Sequence, residues 1–315
     1  MIDPAIFEIS FRESGISSFG LVGEESLHEA FSLTPAGFLP RLGIDGPVCA
    51  IAVALAYCEG RDFSPPSALQ SSLAEYPGPL ARLARFARAD WYGELAARLK
   101  DASSRIRQRL RDEGREPGPA REWRYFVNSA LPEKRLALEA GLGRPGRHGL
   151  VMLPTAGSAA VLGVLLSPAR VSQSPTPKLS ASSRTAPPLH PACENCGACA
   201  AACPTGALDG EGGFARERCI QHWSSVPGAL PPEIEAAWGD RLYGCDSCQE
   251  ACPRFSPDAS AWTFRGHLGP GLPASWLVSA QEAEICAALK GTVLGMKWIS
   301  KDALKRNAGL ALRHQ

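Results

Sequence analysis

The spacing of cysteines between residues 193 and 253 limits what this chain can fold into more than any other feature. Cys193, Cys196, Cys199 and Cys203 follow one another as C-x2-C-x2-C-x3-C, with Pro204 directly behind the last. This is the bacterial run that wraps a cubane iron–sulfur cluster. The physical reason is reach: three thiolates at i, i+3 and i+6 on a tight loop each meet a different iron of one cube. The fourth, ahead of a proline that turns the chain, points away toward a second cluster. The run therefore predicts a partner. Cys245, Cys248, Cys252 and Pro253 supply it as C-x2-C-x3-C-P, one cysteine short of the first pattern. Cys219, alone between the two runs, completes the count. The resulting expectation is Cys193, Cys196, Cys199 and Cys252 on a first 4Fe–4S cluster, and Cys203, Cys219, Cys245 and Cys248 on a second.

Structural zinc is the competing use of paired C-x2-C motifs. Zinc asks for four ligands, and eight cysteines with two C-P endings fit it poorly. A disulfide framework fits less well again, because residues 1–20 show no charged segment followed by an apolar one that would direct export. Cys49, Cys58 and Cys286 stand outside any ligand spacing and are expected to be small core residues.

The 315 residues, 45% of them hydrophobic, suffice for two buried cores. A formal net charge of +1 gives no global case for a polyanionic partner. The charge is uneven, however: 81–124 and 290–315 both carry more Lys and Arg than Asp and Glu. On charge alone these are solvated helix faces. No apolar run reaches membrane-spanning length; 149–166 comes closest and is broken around Pro154 and Gly157. The expectation is a cytoplasmic protein, where reducing conditions suit thiolate ligands.

Ahead of the cysteines, strand and helix signals alternate. Strands are expected at 18–23, 47–57, 123–127, 149–153 and 159–166, with those at 47–57 and 123–127 buried. Helices are expected at 24–31, 90–110 and 131–140, the second with Trp91, Leu95, Leu99, Ala102, Ile106 and Leu110 on one face. That alternation predicts an α/β domain over residues 1–170. Residues 171–191, rich in Ser, Pro and Thr, form a linker. A double-cluster domain follows at 192–256, with a helix starting at Pro231-Pro232. Residues 257–315 make a short helical tail, with helices at 280–290 and 299–313.

The residues around these motifs resemble the epoxyqueuosine reductase family over most of the chain. The likeness is strongest at Cys193–Ala207, at Arg218-Cys219-Ile220 and from Leu242 through Pro253, where the family has the same eight-cysteine order. Residues 84–92 resemble its A-R-Y-A-R-G-x-D-Y-H segment. Gly141, Gly143, Gly146, Gly157, Ser158 and Gly163 follow its G-L-G-W-x-G-K-N…G-S…L-G pattern. Leu289–Thr292 and Arg306–Leu312 resemble the start of its helical-repeat region.

The resemblance implies a nitroreductase-like α/β domain with a mixed sheet, a ferredoxin-like double 4Fe–4S module and a short helical C-terminus. It implies a cobalamin held by Gly143, Gly146, His148, Ser158 and Gln221, with electrons reaching it through the clusters. No histidine lies in a D-x-H-x-x-G setting, so a lower-axial histidine is not expected. The implied reaction reduces epoxyqueuosine to queuosine in tRNA. The implied partners are tRNA and a low-potential electron donor, with no membrane and a monomeric chain. Three departures stand out. Asn128 occupies the place of the family's proton-donating acid, and an amide cannot donate as a carboxylic acid does; Glu122 and Glu133 are close by. The W-x-G-K-N loop is Arg144-Pro-Gly-Arg-His148, and the stretch after Cys219 begins Gln221-His-Trp. The alternative is a two-cluster electron carrier, or a paralogue serving another corrinoid protein or substrate.

Overall fold

The structure is a computed structural model that describes residues 3–32, 34, 49–57, 69, 73, 75–76, 78–168, 187–257 and 266–314. It divides into two units. Residues 1–56, 92–146 and 150–191 form the first, and 57–91, 147–149 and 192–315 the second.

The first unit is built on a four-stranded sheet. Helix α1 (Pro4–Glu13) begins at Asp3, whose carboxylate accepts the Ala5 N–H at 2.9 Å, with Pro4 in the first turn. Strands β1 (Ser18–Val22), β2 (Cys49–Ala56), β4 (Arg124–Val127) and β7 (Ala160–Ser167) lie in the order β1-β2-β7-β4, every pair antiparallel. The β2–β7 register runs from Cys49 opposite Ser167 to Ala56 opposite Ala160. A central position explains the apolar sequence of β2, which is buried from Ala50 to Leu55. The strand at 124–127, expected to be buried, is instead an edge strand, and Tyr125 is 41% exposed. Among the described residues its strand neighbour is β7.

Helix α2 (Glu24–Ser32) falls where expected. Helix α3 (Trp91–Asp112) buries Leu95, Leu99, Ala102, Ile106 and Leu110 at the predicted spacing. Its Leu95 and Leu99 rest on Gly163 of β7, where an added Cβ would come within 3.1 Å of both side chains. Helix α4 (Glu133–Glu139) and the short strands β5 (Arg144–Pro145) and β6 (Val151–Met152) complete this unit.

The second unit holds a three-stranded sheet. Strand β3 (Leu80–Leu83) lies between β8 (Arg241–Tyr243), parallel to it, and β9 (Gly271–Pro273), antiparallel. The sheet packs with helices α9 (Ala274–Ser279), α10 (Glu282–Ala288) and α11 (Lys301–Arg313) in one core, which includes Leu83, Leu242, Trp276, Ile285, Leu304 and Ala308. Strand β9 and α9 carry no clear periodic signal and were not expected. Helix α11 starts at Ser300, whose hydroxyl accepts the Ala303 N–H at 3.2 Å. Its Leu310 joins Ile220, Ile234 of helix α7 (Pro232–Ala236) and Trp238 in a second core beside the cysteine segments.

Two expectations about the spare cysteines need correction. Cys286 is exposed, because Ile285 and Ala288 of α10 take the buried face, and Cys49 is only partly buried. Cys58 and residues 171–186 of the segment expected as a linker at 171–191 lie outside the described residues.

Candidate iron–sulfur site

Each cysteine run wraps a single helical turn. Helix α5 (Ala198–Ala201) sits inside the first run and α8 (Ser247–Glu250) inside the second, and the two pack together. The Cys203 N–H bonds to Ala200 O at 3.1 Å and the Cys252 N–H to Gln249 O at 2.9 Å. Pro204 and Pro253 then follow, and with no N–H to give they carry the chain away from each turn. Cys219 caps α6 (Ile220–Trp223), its carbonyl accepting from His222 N at 3.0 Å. Gly244, with φ of 83°, brings the chain into Cys245; an added Cβ would come within 2.8 Å of Phe86 and 2.9 Å of Gln221 Oε1.

Cys203, Cys219, Cys245 and Cys248 line one pocket, together with His148 and Phe214. The thiols register this grouping electrostatically. Burial first, then the neighbouring Cys245, Cys219, Cys203 and Cys199, push Cys248 up to about 12. Cys219 is raised by burial and by Cys245 and Cys203. Cys199 is raised by burial and by Cys193 and Cys252. Cys193 and Cys252 thus neighbour Cys199, Cys199 in turn acts on Cys248, and three segments distant in sequence meet at the pocket. Among the described residues no three His, Cys, Asp or Glu side chains come close enough to share a single ion. A cubane asks for something different, one thiolate at each of four irons around a common centre.

Backbone groups already serve these sulfurs. Cys203 Sγ accepts the Ala207 N–H at 3.2 Å and lies 3.8 Å from Thr205 Oγ1. Burial alone would raise this thiol, but N–H groups of Thr205, Ala207 and Leu208 outweigh it and hold the pKa below the ordinary value. The Cys245 thiol donates to Ser247 Oγ at 3.4 Å, which also accepts from Arg241 at 3.0 Å. Asp246, between the two cysteines, is buried and accepts the Arg85 N–H at 2.7 Å, which fixes the residues after β3 to the second run.

The other residues singled out from the sequence are spread over both units. Asn128 follows β4, is exposed, and has a φ of 51°, the single positive value at a non-glycine among the described residues. Asparagine tolerates that conformation well. The nearby Glu133 carboxylate is engaged, accepting from Ser129 N and Oγ at 2.8 Å each. Gly143 has a packing task, since an added Cβ would collide with the Met152 carbonyl. Gly146 donates its N–H to Leu150 O at 2.9 Å. Ser158 and Gln221 each carry a buried side-chain oxygen with no hydrogen-bond partner among the described residues. His148 is buried in the cysteine pocket, and burial lowers its pKa to about 4.

The basic segments are largely occupied within the protein. Arg105 pairs with Glu13 at 2.9 Å and Asp101 at 2.7 Å, and Arg109 with Glu13 at 2.7 Å. Arg306 donates to the carbonyls of Trp223, Val226 and Gly228 at 2.7–2.8 Å. Asn307, fully buried, donates to Ser224 O at 2.9 Å and Leu242 O at 2.8 Å. Sequence reasoning missed Arg306 and Asn307 as parts of the site, since carbonyl partners leave no trace in side-chain patterns.

Residues 192–254 match a family described as a 4Fe–4S double cluster binding domain, so this part of the chain is an iron–sulfur module. The chain is 31% identical to an epoxyqueuosine reductase of Shewanella oneidensis over 80% of its own length and 57% of that protein's. It is 28% identical to one of Bacillus anthracis over 87% of its length and 66% of the relative's. The chain thus spans less than two thirds of the length of these curated relatives. Among solved structures it shares the fold of the epoxyqueuosine reductase of Streptococcus thermophilus, with a TM-score of 0.75 and 20% identity over 100% of this chain and 82% of that one. It also matches an epoxyqueuosine reductase in complex with an epoxyqueuosine-modified tRNA-Tyr stem loop, with a TM-score of 0.69 and 21% identity over 99% and 80% of the two chains.

Proposed function

From a chain related in sequence and fold to the epoxyqueuosine reductases, we propose an oxidoreductase of that type, acting on a modified base of tRNA in the cytoplasm. One observation carries the reading. Cys203, Cys219, Cys245 and Cys248 converge from three segments on one pocket, and Cys199 answers to Cys193 and Cys252. We assign the second 4Fe–4S cluster to the first set. The first cluster takes Cys193, Cys196, Cys199 and Cys252. Thiolates with raised pKa values are poorly stabilised in an empty site, and a positively charged iron core relieves that cost.

Cobalamin is the second proposed cofactor, and when bound it supplies the reducing centre for carbon–oxygen cleavage. The residues we assign to it in the first unit are Gly146 and Ser158, whose buried hydroxyl lacks a partner among the described residues. Asn128 takes the position of the proton-donating acid. There it can orient a substrate oxygen through a hydrogen bond, and the proton must come from water or another acid. This departure favours a second reading, a paralogue with the same electron-transfer module and a different substrate or corrinoid partner.

The test is the iron, sulfide and corrinoid content of anaerobically reconstituted protein, followed by turnover of epoxyqueuosine-containing tRNA with a low-potential reductant. Two clusters, one corrinoid and queuosine as product establish the reading. Two clusters and corrinoid without turnover establish the paralogue. Absence of iron sinks both.

A further inference from the structure

We infer that His148 belongs to the polar shell of the second cluster, giving a ring N–H to its sulfurs and setting its reduction potential above that of the same cluster without it. The inference rests on the two-cluster reading above. His148 is 7% exposed and lines the pocket formed by Cys203, Cys219, Cys245 and Cys248.

The chain is built to deliver it there. Residues 147–149 group with the cysteine module, although the residues on either side belong to the first unit. Arg147 fixes one flank, donating to Gly210 O and, at 3.0 Å, to Glu194 O, carbonyls on two different loops of the module. On the other flank Gly149 adopts a φ of 78°, a left-handed turn that reverses the chain. The Gly146 N–H to Leu150 O bond of 2.9 Å closes the loop behind. A ring held this way lines the same pocket as the four sulfurs of Cys203, Cys219, Cys245 and Cys248.

Hydrogen bonds to the sulfurs are one of the protein's main means of tuning such a cluster. Reduction adds one electron to the cluster and neither makes nor breaks a covalent bond. An N–H directed at a sulfur stabilises the more negative state, so its removal lowers the potential. The direction is the same for a charged ring and for the neutral tautomer that carries its proton on the nitrogen nearer the sulfurs.

The experiment is an EPR-monitored redox titration of reconstituted wild type, His148→Leu and His148→Gln, with iron and sulfide measured on each. His148→Leu should shift the oxidised-to-reduced ratio of one cluster about tenfold toward oxidised at fixed potential, about 59 mV for a one-electron couple. The other cluster should not move. His148→Gln, which keeps an N–H donor, should recover at least half of the shift. Unshifted potentials in fully loaded His148→Leu overturn the inference. Wild type without clusters overturns the reading beneath it and the inference together. Should His148→Leu fail to load, 15N-histidine labelling decides. Wild type and His222→Gln must both show 15N coupling on a reduced cluster, and its absence overturns the assignment.

Discussion

Replacing Asn307 by alanine should weaken the second iron–sulfur site from a distance. Its side-chain amide donates to Ser224 O, just past the helix that follows Cys219, and to Leu242 O, three residues before Cys245. Its Oδ1 accepts from Arg306 Nε at 3.1 Å and from the guanidinium at 2.8 Å. One residue of α11 therefore ties together two of the three segments that supply the second set of cysteines. Removing the amide strands two buried carbonyls, each at about 1–3 kcal/mol. A water entering the space recovers part of that, so the expected loss is about 2–4 kcal/mol. Arg306 keeps its three other carbonyl partners and limits the damage. Asn307→Asp should cost more, since a carboxylate would then face two carbonyl oxygens. The assay is anaerobic urea unfolding of the loaded protein, with iron content and EPR of the reduced sample. The variant should unfold at lower urea and lose the second cluster while keeping the first. An Asn307→Ala protein within 0.5 kcal/mol of wild type, with both clusters present, would falsify the clasp.

Asn128→Asp restores a carboxylic acid at an exposed left-handed position that aspartate also accepts. It should raise single-turnover reduction of epoxyqueuosine tRNA about tenfold or more, within the usual range for a general acid; equal rates would assign the proton to another group. His267 is buried, and burial lowers its pKa to about 4 from 6.5. The unfolded chain then binds the extra proton between those values, so stability is full above pH 6.5 and falls as pH drops toward 4, by at most about 1.4 kcal/mol per unit. His267→Gln should flatten this part of the stability profile, and a profile unchanged between pH 5 and 7 refutes the role.

The cysteine spacing was legible because a cubane imposes a fixed reach on each thiolate, and spacing along a loop records reach directly. Helix α3 was legible for the same kind of reason, as its buried leucines recur at the helical period. Other features depend on relations the sequence does not encode locally. Whether Arg124–Val127 is central or edge depends on which strands arrive beside it, and among the described residues that is β7 alone. Gly143 fits a cofactor motif, yet the approach of the Met152 carbonyl explains it equally well. Arg105 and Arg109 form a basic helix face until α1 brings Glu13 against them. The C-terminal helix reads as the opening of a repeat, but its Arg306 and Asn307 hold the loops of the cysteine module.

The thiols themselves yield a prediction about the protein stripped of its clusters. Without iron, four sulfur ligands share one pocket, and Cys248 is raised from 9.0 to about 12 by burial and by Cys245, Cys219, Cys203 and Cys199. Cys219 moves the same way for the same reasons. A thiol whose pKa is raised on folding contributes its full stability below the unfolded value. That stability is lost as pH rises toward the folded value. The stripped protein should therefore weaken as pH climbs through about 9 and beyond, by about 1.4 kcal/mol per pH unit for each thiol still protonated in the fold. In the loaded protein the same sulfurs are bound to iron as thiolates and take up protons when unfolding frees them, so below about pH 9 its stability should rise with pH and above that level off. Urea unfolding of both forms at pH 8.0 and 10.5 separates them. Parallel behaviour of the two forms would mean that these thiols do not crowd together, and with that the case for a shared cluster at Cys203, Cys219, Cys245 and Cys248 would lose its electrostatic support.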